Sequence, residues 1–162
     1  MVAFFHTLAR VTVQVVQAYG YPGIFLLGLS LFIYEPIAPD IFILGEIATG
    51  LVPFWVAVSA LLGTTVGVTL GYYAGRLLNK WGLRRVRQNK YFGKIEDWYQ
   101  KYGVWIGFLG ALSPLPLREI SWFAGIFRLS LPQFVLAVFL GLVPRYFAEA
   151  FLGKALLHWL HR

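Results

Sequence analysis

Tyr34-Glu35-Pro36-Ile37-Ala38-Pro39-Asp40 sets two carboxylates and two prolines inside an apolar stretch of chain. Upstream, Tyr19 to Ile33 carries no charge; downstream, Ile41 to Gly75 carries only Glu46. Each proline lacks an N–H and biases the residue before it away from helical backbone, so a helix entering this stretch ends in it. Broken backbone at membrane depth is tolerated only where protein or a water-filled cavity satisfies its polar groups. The stretch is therefore expected to be the tip of a re-entrant hairpin that carries a buried acidic site.

The composition supports a membrane setting. The 162 residues are 59% apolar, 18% aromatic and only 13% charged, with a mean hydropathy of +0.68. A soluble chain carries roughly 25% charged residues, which makes an all-buried soluble helical core the weaker alternative. Two apolar stretches exceed the ~20 residues that a spanning helix needs. There is no cysteine, which excludes a disulfide framework and cysteine-based metal sites. His6, His158 and His161 lie near the ends, and none pairs with a carboxylate at metal-ligand spacing. Neither a metal nor another cofactor is expected. No basic segment precedes an apolar run and small-residue cleavage site at the start, so no signal peptide is expected.

The net charge of +7 is concentrated in the middle of the chain. Arg76, Lys80, Arg84, Arg85, Arg87, Lys90, Lys94 and Lys101 are opposed there only by Glu96 and Asp97. Between apolar segments, such a cluster is a topology signal rather than a nucleic-acid site. It marks a cytoplasmic linker with attraction for anionic headgroups.

Around these landmarks the chain divides as one membrane domain. Residues 1–18 read as an amphipathic helix in the interface, with His6, Arg10, Gln14 and Gln17 on its polar face. Ile24–Ile33 and Ile41–Leu51 are each too short to span, and fit the two arms of the first hairpin. Trp55–Leu78 is the first full span, completing a first unit over residues 19–78. Along it Gly63, Gly67, Gly71 and Gly75 recur at every fourth residue, a groove for close helix packing that would also suit a second copy of the chain. Residues 79–101 form the basic linker, with a second interfacial helix marked by Phe92, Ile95, Trp98 and Tyr102. In 102–157, Val104–Leu112 and Ile120–Phe127 are again short arms, separated by Ser113-Pro114-Leu115-Pro116-Leu117-Arg118-Glu119. Gln133–Leu157 is the second full span.

The two units match. Tyr19-Gly20 lies over Tyr102-Gly103, Phe25-Leu26 over Phe108-Leu109, Ser30 over Ser113, Pro36 over Pro114, Pro53 over Pro132 and Gly63 over Gly141. A unit of one returning hairpin and one crossing helix crosses an odd number of times, so the second unit is inverted relative to the first. The expected fold is an all-α integral membrane protein, an inverted repeat of re-entrant hairpin plus transmembrane helix with interfacial amphipathic helices. Arg76, the linker and Arg128 carry nine Lys and Arg, whereas Arg10, Lys154 and Arg162 lie on the other side. This places the linker in the cytoplasm and both termini outside.

Ionisable groups remain within these apolar segments: Glu35, Asp40 and Glu46 in the first unit, and Arg118, Glu119, Arg145 and Glu149 in the second. Each costs at least ~2.5–3.5 kcal/mol unless paired or wetted. Salt bridging of Glu35 or Asp40 with Arg118, and of Arg145 with Glu149, is the structural explanation. The functional one uses Arg118 and Arg145, with Glu119, Glu149 and Arg128 nearby in sequence, to hold a phosphate headgroup by paired guanidinium donors. Glu35 and Asp40, desolvated and close together, would then suit proton coupling, with Glu46 as a third acid.

These same residues resemble a known family. Glu35-Pro36-Ile37-Ala38-Pro39-Asp40, Gly71-Tyr72-Tyr73-Ala74-Gly75-Arg76, and Pro114 followed by Arg118 and Ala124-Gly125-Ile126-Phe127-Arg128 look like the DedA family of the VTT, or SNARE-associated, membrane proteins. Gly141 to Tyr146 and the short length look closer to its small YqaA-like branch. The resemblance implies facing re-entrant hairpins in a multi-pass protein of the inner (plasma) membrane. It also implies flippase or scramblase activity on undecaprenyl phosphate or a phospholipid, linked to the proton motive force. Glu35 and Asp40 match the family's acidic positions and Arg118 approximates its second-hairpin arginine, while a further arginine usual three residues before the proline is Ala111 here. On this reading the partners are membrane lipids and protons, and the protein is not an enzyme. A proton-coupled small-cation or drug transporter and a polyprenyl-pyrophosphate phosphatase are the alternatives.

Overall fold

A computed structural model describes residues 18–30, 51–81, 90–113 and 115–160, with side chains over 18–30, 51–79, 93–113 and 115–152. Their regular structure is helical: α1 (Tyr21–Ser30), α2 (Pro53–Trp81), α3 (Lys90–Leu112), α4 (Leu117–Ile126) and α5 (Leu131–Leu160). Pro53 and Pro132 open the two long helices, where a missing N–H costs nothing because the first turn's donors have no intrahelical partner. Pro53–Asn79 and Leu131–Leu152 are long and apolar enough to cross a membrane.

The long helices α2 and α5 run antiparallel. Tyr72 and Phe134 rings lie 6.4 Å apart, Thr64 meets Tyr146, and Phe54 lies 5.7 Å from Phe147. The short α1 runs parallel to α2, with the Phe25 carbonyl against Gly63 and the Gly28 and Leu29 carbonyls against Gly67. A parallel pairing recurs between α3 and α5: Leu129 packs on Gly103, Phe134 on Gly107, and the Phe108 carbonyl on Gly141. The Phe25–Gly63 contact thus has a counterpart in Phe108–Gly141, at positions that the sequence matches pairwise.

The glycine row of α2 is filled from within the chain. Gly63 and Gly67 receive α1, while Gly71 and Gly75 receive Ser121 and Trp122 of α4. At Gly75 a Cβ would collide with the Trp122 carbonyl, and at Gly125 with the Tyr72 carbonyl, so both positions need glycine for backbone approach. A homodimer through this groove is therefore excluded by occupancy; a second copy would have to use another face.

The outer faces stay apolar. Leu62, Val66, Leu70, Tyr73 and Leu77 form an exposed stripe on α2, and Leu136, Leu140 and Phe151 lie exposed on α5. Tyr72, Tyr146, Phe127, Phe134 and Leu142 are fully buried between the helices. Extensive exposed apolar surface around a packed interior suits a lipid-facing bundle better than a soluble monomer.

Several boundaries differ from expectation. The chain enters α1 at Tyr21 rather than Ile24, with Pro22 taken into the first turn. The first long helix continues to Trp81, into the expected linker. Most notably, α3 is one continuous helix of 23 residues, not an interfacial helix followed by a separate arm. Its sequence explains why: no proline or turn signal separates Lys101 from Val104, and Gly103 is needed small because Leu129 packs on it.

Candidate functional site at the second hairpin tip

The hairpin of α3 and α4 is antiparallel. Ile120 packs on Gly110 near the tip, and further from it Tyr99 meets Phe127 at 5.0 Å between rings. At the tip the Ser113 hydroxyl donates to the Leu109 carbonyl at 2.6 Å, and the Leu115 N–H returns to the Ser113 carbonyl at 2.7 Å. Pro116 then opens α4 without a side-chain cap. The first-turn N–H groups of α4, lacking partners within the helix, give this end partial positive charge.

Arg118 and Glu119 occupy that first turn. The Arg118 Nε donates to Glu119 Oε1 at 2.9 Å, and its Nη2 bonds the same oxygen. The guanidinium also sits 5.8 Å from the Trp122 ring centroid, within cation–π reach of about 6 Å. The two side chains are 32% and 39% exposed, so the pair can be reached from outside. Glu119 Oε2, by contrast, is buried and has no hydrogen-bond partner among the described residues.

Arg145 is placed differently. Its side chain is only 6% exposed, its Nε donates to Glu149 Oε1 at 3.0 Å, and its Nη1 donates to the carbonyls of Ala111 and Ser113 at 3.2 and 2.8 Å. It ties the carbonyl end of α3, where the helix dipole is negative, to the middle of α5. The Arg145–Glu149 pairing expected from one-turn spacing is present. Arg128 lies apart from these charges: it is exposed, in the left-handed turn (φ 56°) after α4, ten residues or about 15 Å of helix from Arg118. Glu35, Asp40 and Glu46, like all but the last residue of the expected interfacial helix at 1–18, lie outside the described residues.

The level of the tip can be read along α2. Ser121 rests on Gly71, and α4, which runs parallel to α2, begins one turn before Ser121. The last turn of α1 rests on Gly67, which lies near the middle of Pro53–Asn79. The closing end of α1 and the opening end of α4 therefore come to one level, half-way along the span.

Some polar partners were not evident from sequence. Thr64 and Tyr146 share a buried 2.9 Å hydrogen bond between the two spans, and the Tyr72 hydroxyl donates to the Leu129 carbonyl at 2.6 Å. The Asn79 amide donates to the Ile126 carbonyl at 2.7 Å, and Gln100 donates to that of Phe127, so both satisfy the closing end of α4. Their only signal was position: amides just outside apolar helices often cap neighbouring ends. Trp122 was not singled out either; its signal was its place one turn after Arg118.

A family model described as the VTT domain matches residues 36–155, and the chain belongs to this family, that of the DedA and TVP38 proteins. It is similar to undecaprenyl phosphate transporter A of Staphylococcus aureus, 24% identical over 92% of this chain and 80% of that protein. The protein of the same name from Bacillus subtilis is 28% identical over 59% of this chain, which spans about half (51%) of it. An alkaline phosphatase-like protein of Lactococcus lactis is 27% identical over 92% of this chain and 76% of that protein. No solved structure matches. The family places the chain among membrane proteins, and the two apolar helices are of the length that this requires.

Proposed function

We propose that this protein moves a phosphate-bearing lipid across the membrane, as a flippase or scramblase built from an inverted repeat of two re-entrant hairpins. The observation that carries the reading is Arg118: a partly exposed guanidinium in the uncapped first turn of α4, half-way along the spans. Phosphate oxygens suit both a guanidinium and a helix N-terminus, and here the two coincide. The printed names of the two undecaprenyl phosphate transporters support the same substrate class, and the paired Phe–Gly contacts of antiparallel α2 and α5 support the inverted repeat.

In this mechanism Arg118 is the headgroup ligand and Glu119 its resting counter-ion, displaced when phosphate binds. Arg145 and Glu149 complete the charged layer and hold the tip. Glu35 and Asp40, with Glu46, supply proton coupling from the first hairpin, and Arg128 belongs with the basic residues of the cytoplasmic linker. The protein is then a multi-pass component of the inner (plasma) membrane.

The test is reconstitution of the full chain into liposomes with leaflet-resolved detection of undecaprenyl phosphate and phosphatidylethanolamine at several pH values. Movement that survives unchanged in both Arg118→Ala and Glu35→Ala overturns the mechanism. The same preparation tests a second reading, raised by the phosphatase-like relative. Release of inorganic phosphate from undecaprenyl pyrophosphate, without lipid movement, would establish hydrolysis instead.

A further inference from the structure

We propose that Trp122 is a positioning residue for Arg118: its indole ring holds the guanidinium while the donors of that group exchange Glu119 for a phosphate. The proposal rests on the reading of Arg118 as the headgroup ligand, and adds what keeps this ligand in place. An arginine at an uncapped helix end is a long side chain with many rotamers, and ordering it costs entropy. Glu119 cannot hold it through binding, because Glu119 is the partner that phosphate displaces. A holder has to act on the cation without taking the phosphate's place.

Trp122 is placed to do this. It follows Arg118 by four residues, so the two side chains are neighbours on one side of α4, the side that packs on α2. The half-buried ring is seated there: Trp122 Cδ1 lies 3.3 Å from the position that a Cβ on Gly71 would take, and the Trp122 carbonyl closes on Gly75. Ser121, also against Gly71, donates its hydroxyl to the Arg118 carbonyl at 2.7 Å. The contact between the two helices thus fixes the ring, and the guanidinium carbon lies over it at 5.8 Å from the centroid.

The two partners of Arg118 use different properties of the guanidinium. Glu119 Oε1 takes the Nε and Nη2 donors, which lie in the plane of the group, and a phosphate would bind in that same plane. The ring attracts the charge through its π face and needs no lone pair, so exchange of one acceptor for another leaves this attraction intact. Filling the groove that Gly71 and Gly75 leave on α2 is the structural role, and the ring serves it too. That role alone predicts lost stability in a Trp122 variant, with no dependence on Arg118.

The test titrates the full chain in detergent with dihexanoyl phosphatidic acid, followed by calorimetry. Trp122→Leu should weaken binding about fivefold, the factor that about 1 kcal/mol gives, and Trp122→Phe, which keeps a smaller π face and the ring's packing, about twofold. In an Arg118→Ala chain, adding Trp122→Leu should leave the residual affinity unchanged. An equal loss with and without Arg118, or no loss in Trp122→Leu and Trp122→Phe, overturns the positioning role. Fluorescence supplies a second readout, from a chain that keeps Trp122 alone of its six tryptophans, the rest replaced by phenylalanine. Arg118→Ala should shift the Trp122 emission maximum, because the cation beside the ring is gone, whereas saturation with phosphatidic acid should leave it in place. Emission that moves to the Arg118→Ala value on binding means that the guanidinium leaves the ring, and overturns the proposal even where the leucine variant fails to fold. Coupled binding without lipid movement in liposomes would keep the positioning role and remove the transport reading. Lipid movement with undiminished binding in Trp122→Leu would do the reverse.

Discussion

The Arg145 guanidinium and the Ser113 carbonyl are joined by a 2.8 Å hydrogen bond that fixes the broken end of α3 to the middle of α5. In the first unit the matching position is Gly67, four residues after Gly63 as Arg145 is four after Gly141. There the carbonyls of Gly28 and Leu29 close directly on the glycine. Helix α1 is thus held on α2 by backbone approach, and the end of α3 on α5 by a buried cation. Replacing Arg145 by Met should leave the Glu149 carboxylate and two carbonyls without their cation, at a cost of about 3 kcal/mol. Thermal unfolding in detergent measures this, and Arg145→Met with Glu149→Met should recover part of the loss. A single variant as stable as wild type would remove Arg145 as the tip's anchor.

Arg118 should behave in the opposite way. Its ion pair with Glu119 is partly exposed, and such pairs contribute about 0–1 kcal/mol to stability. Arg118→Ala should therefore unfold close to wild type while lipid movement falls by at least about tenfold, the loss of one charge-assisted phosphate contact. Arg118→Lys should restore only part of it, because an ammonium cannot make paired planar bonds. Lipid flux through Arg118→Ala at the wild-type rate would show that the headgroup is held elsewhere.

The glycine row offers a graded comparison. Gly75→Ala and Gly125→Ala each drive a methyl group into a facing backbone carbonyl, so α2 and α4 must separate; overpacking of this kind costs about 1–3 kcal/mol. Gly93, exposed on α3 with open space around its Cβ position, is the control. There Gly93→Ala should stabilise by about 1 kcal/mol through helix propensity alone. Unfolding midpoints of the three variants check the order.

How much of this was readable in the sequence follows from the kind of signal. The glycine row showed that a helix would approach α2 closely, because only small side chains at one face allow it. It could not show that two different helices share the row, since α1 and α4 are brought there by separate turns. The proline pairs located the break before α4, and the one-turn spacing of Arg145 and Glu149 gave their pairing. The carbonyl targets of Arg145 were hidden, because acceptors on the backbone carry no residue identity. The continuity of α3 was missed for a related reason: lysines and aromatics at its start suggested an interface, but nothing there breaks a helix.

Thr64 and Tyr146 supply a test of that hidden polar packing. Both are fully buried and share a 2.9 Å hydrogen bond across the spans. Tyr146→Phe removes the bond while leaving the Thr64 hydroxyl in place, at an expected cost of about 1–3 kcal/mol. Adding Thr64→Val should bring stability back toward wild type, because the stranded polar group is removed with its partner. A double-mutant cycle on unfolding midpoints measures the coupling, and purely additive losses would show that the contact contributes nothing of its own.

Tyr99 gives the fold an alkaline limit. Its ring is buried against Phe123 and Phe127, at 6.1 and 5.0 Å between centroids, and this burial pushes its phenol above the usual value of about 10. In the unfolded chain the phenol ionises at that usual value, whereas in the fold it holds its proton to higher pH. The stabilisation from neutral Tyr99 is thus fully present below about pH 10 and is lost as pH rises toward and through the folded value. Tyr99→Phe keeps the ring and removes the titrating group. Unfolding midpoints should decline more gently above about pH 10 in this variant than in wild type, after allowing for the other tyrosines and lysines that titrate in both proteins. Identical alkaline profiles would mean that the Tyr99 hydroxyl ionises as freely in the fold as outside it.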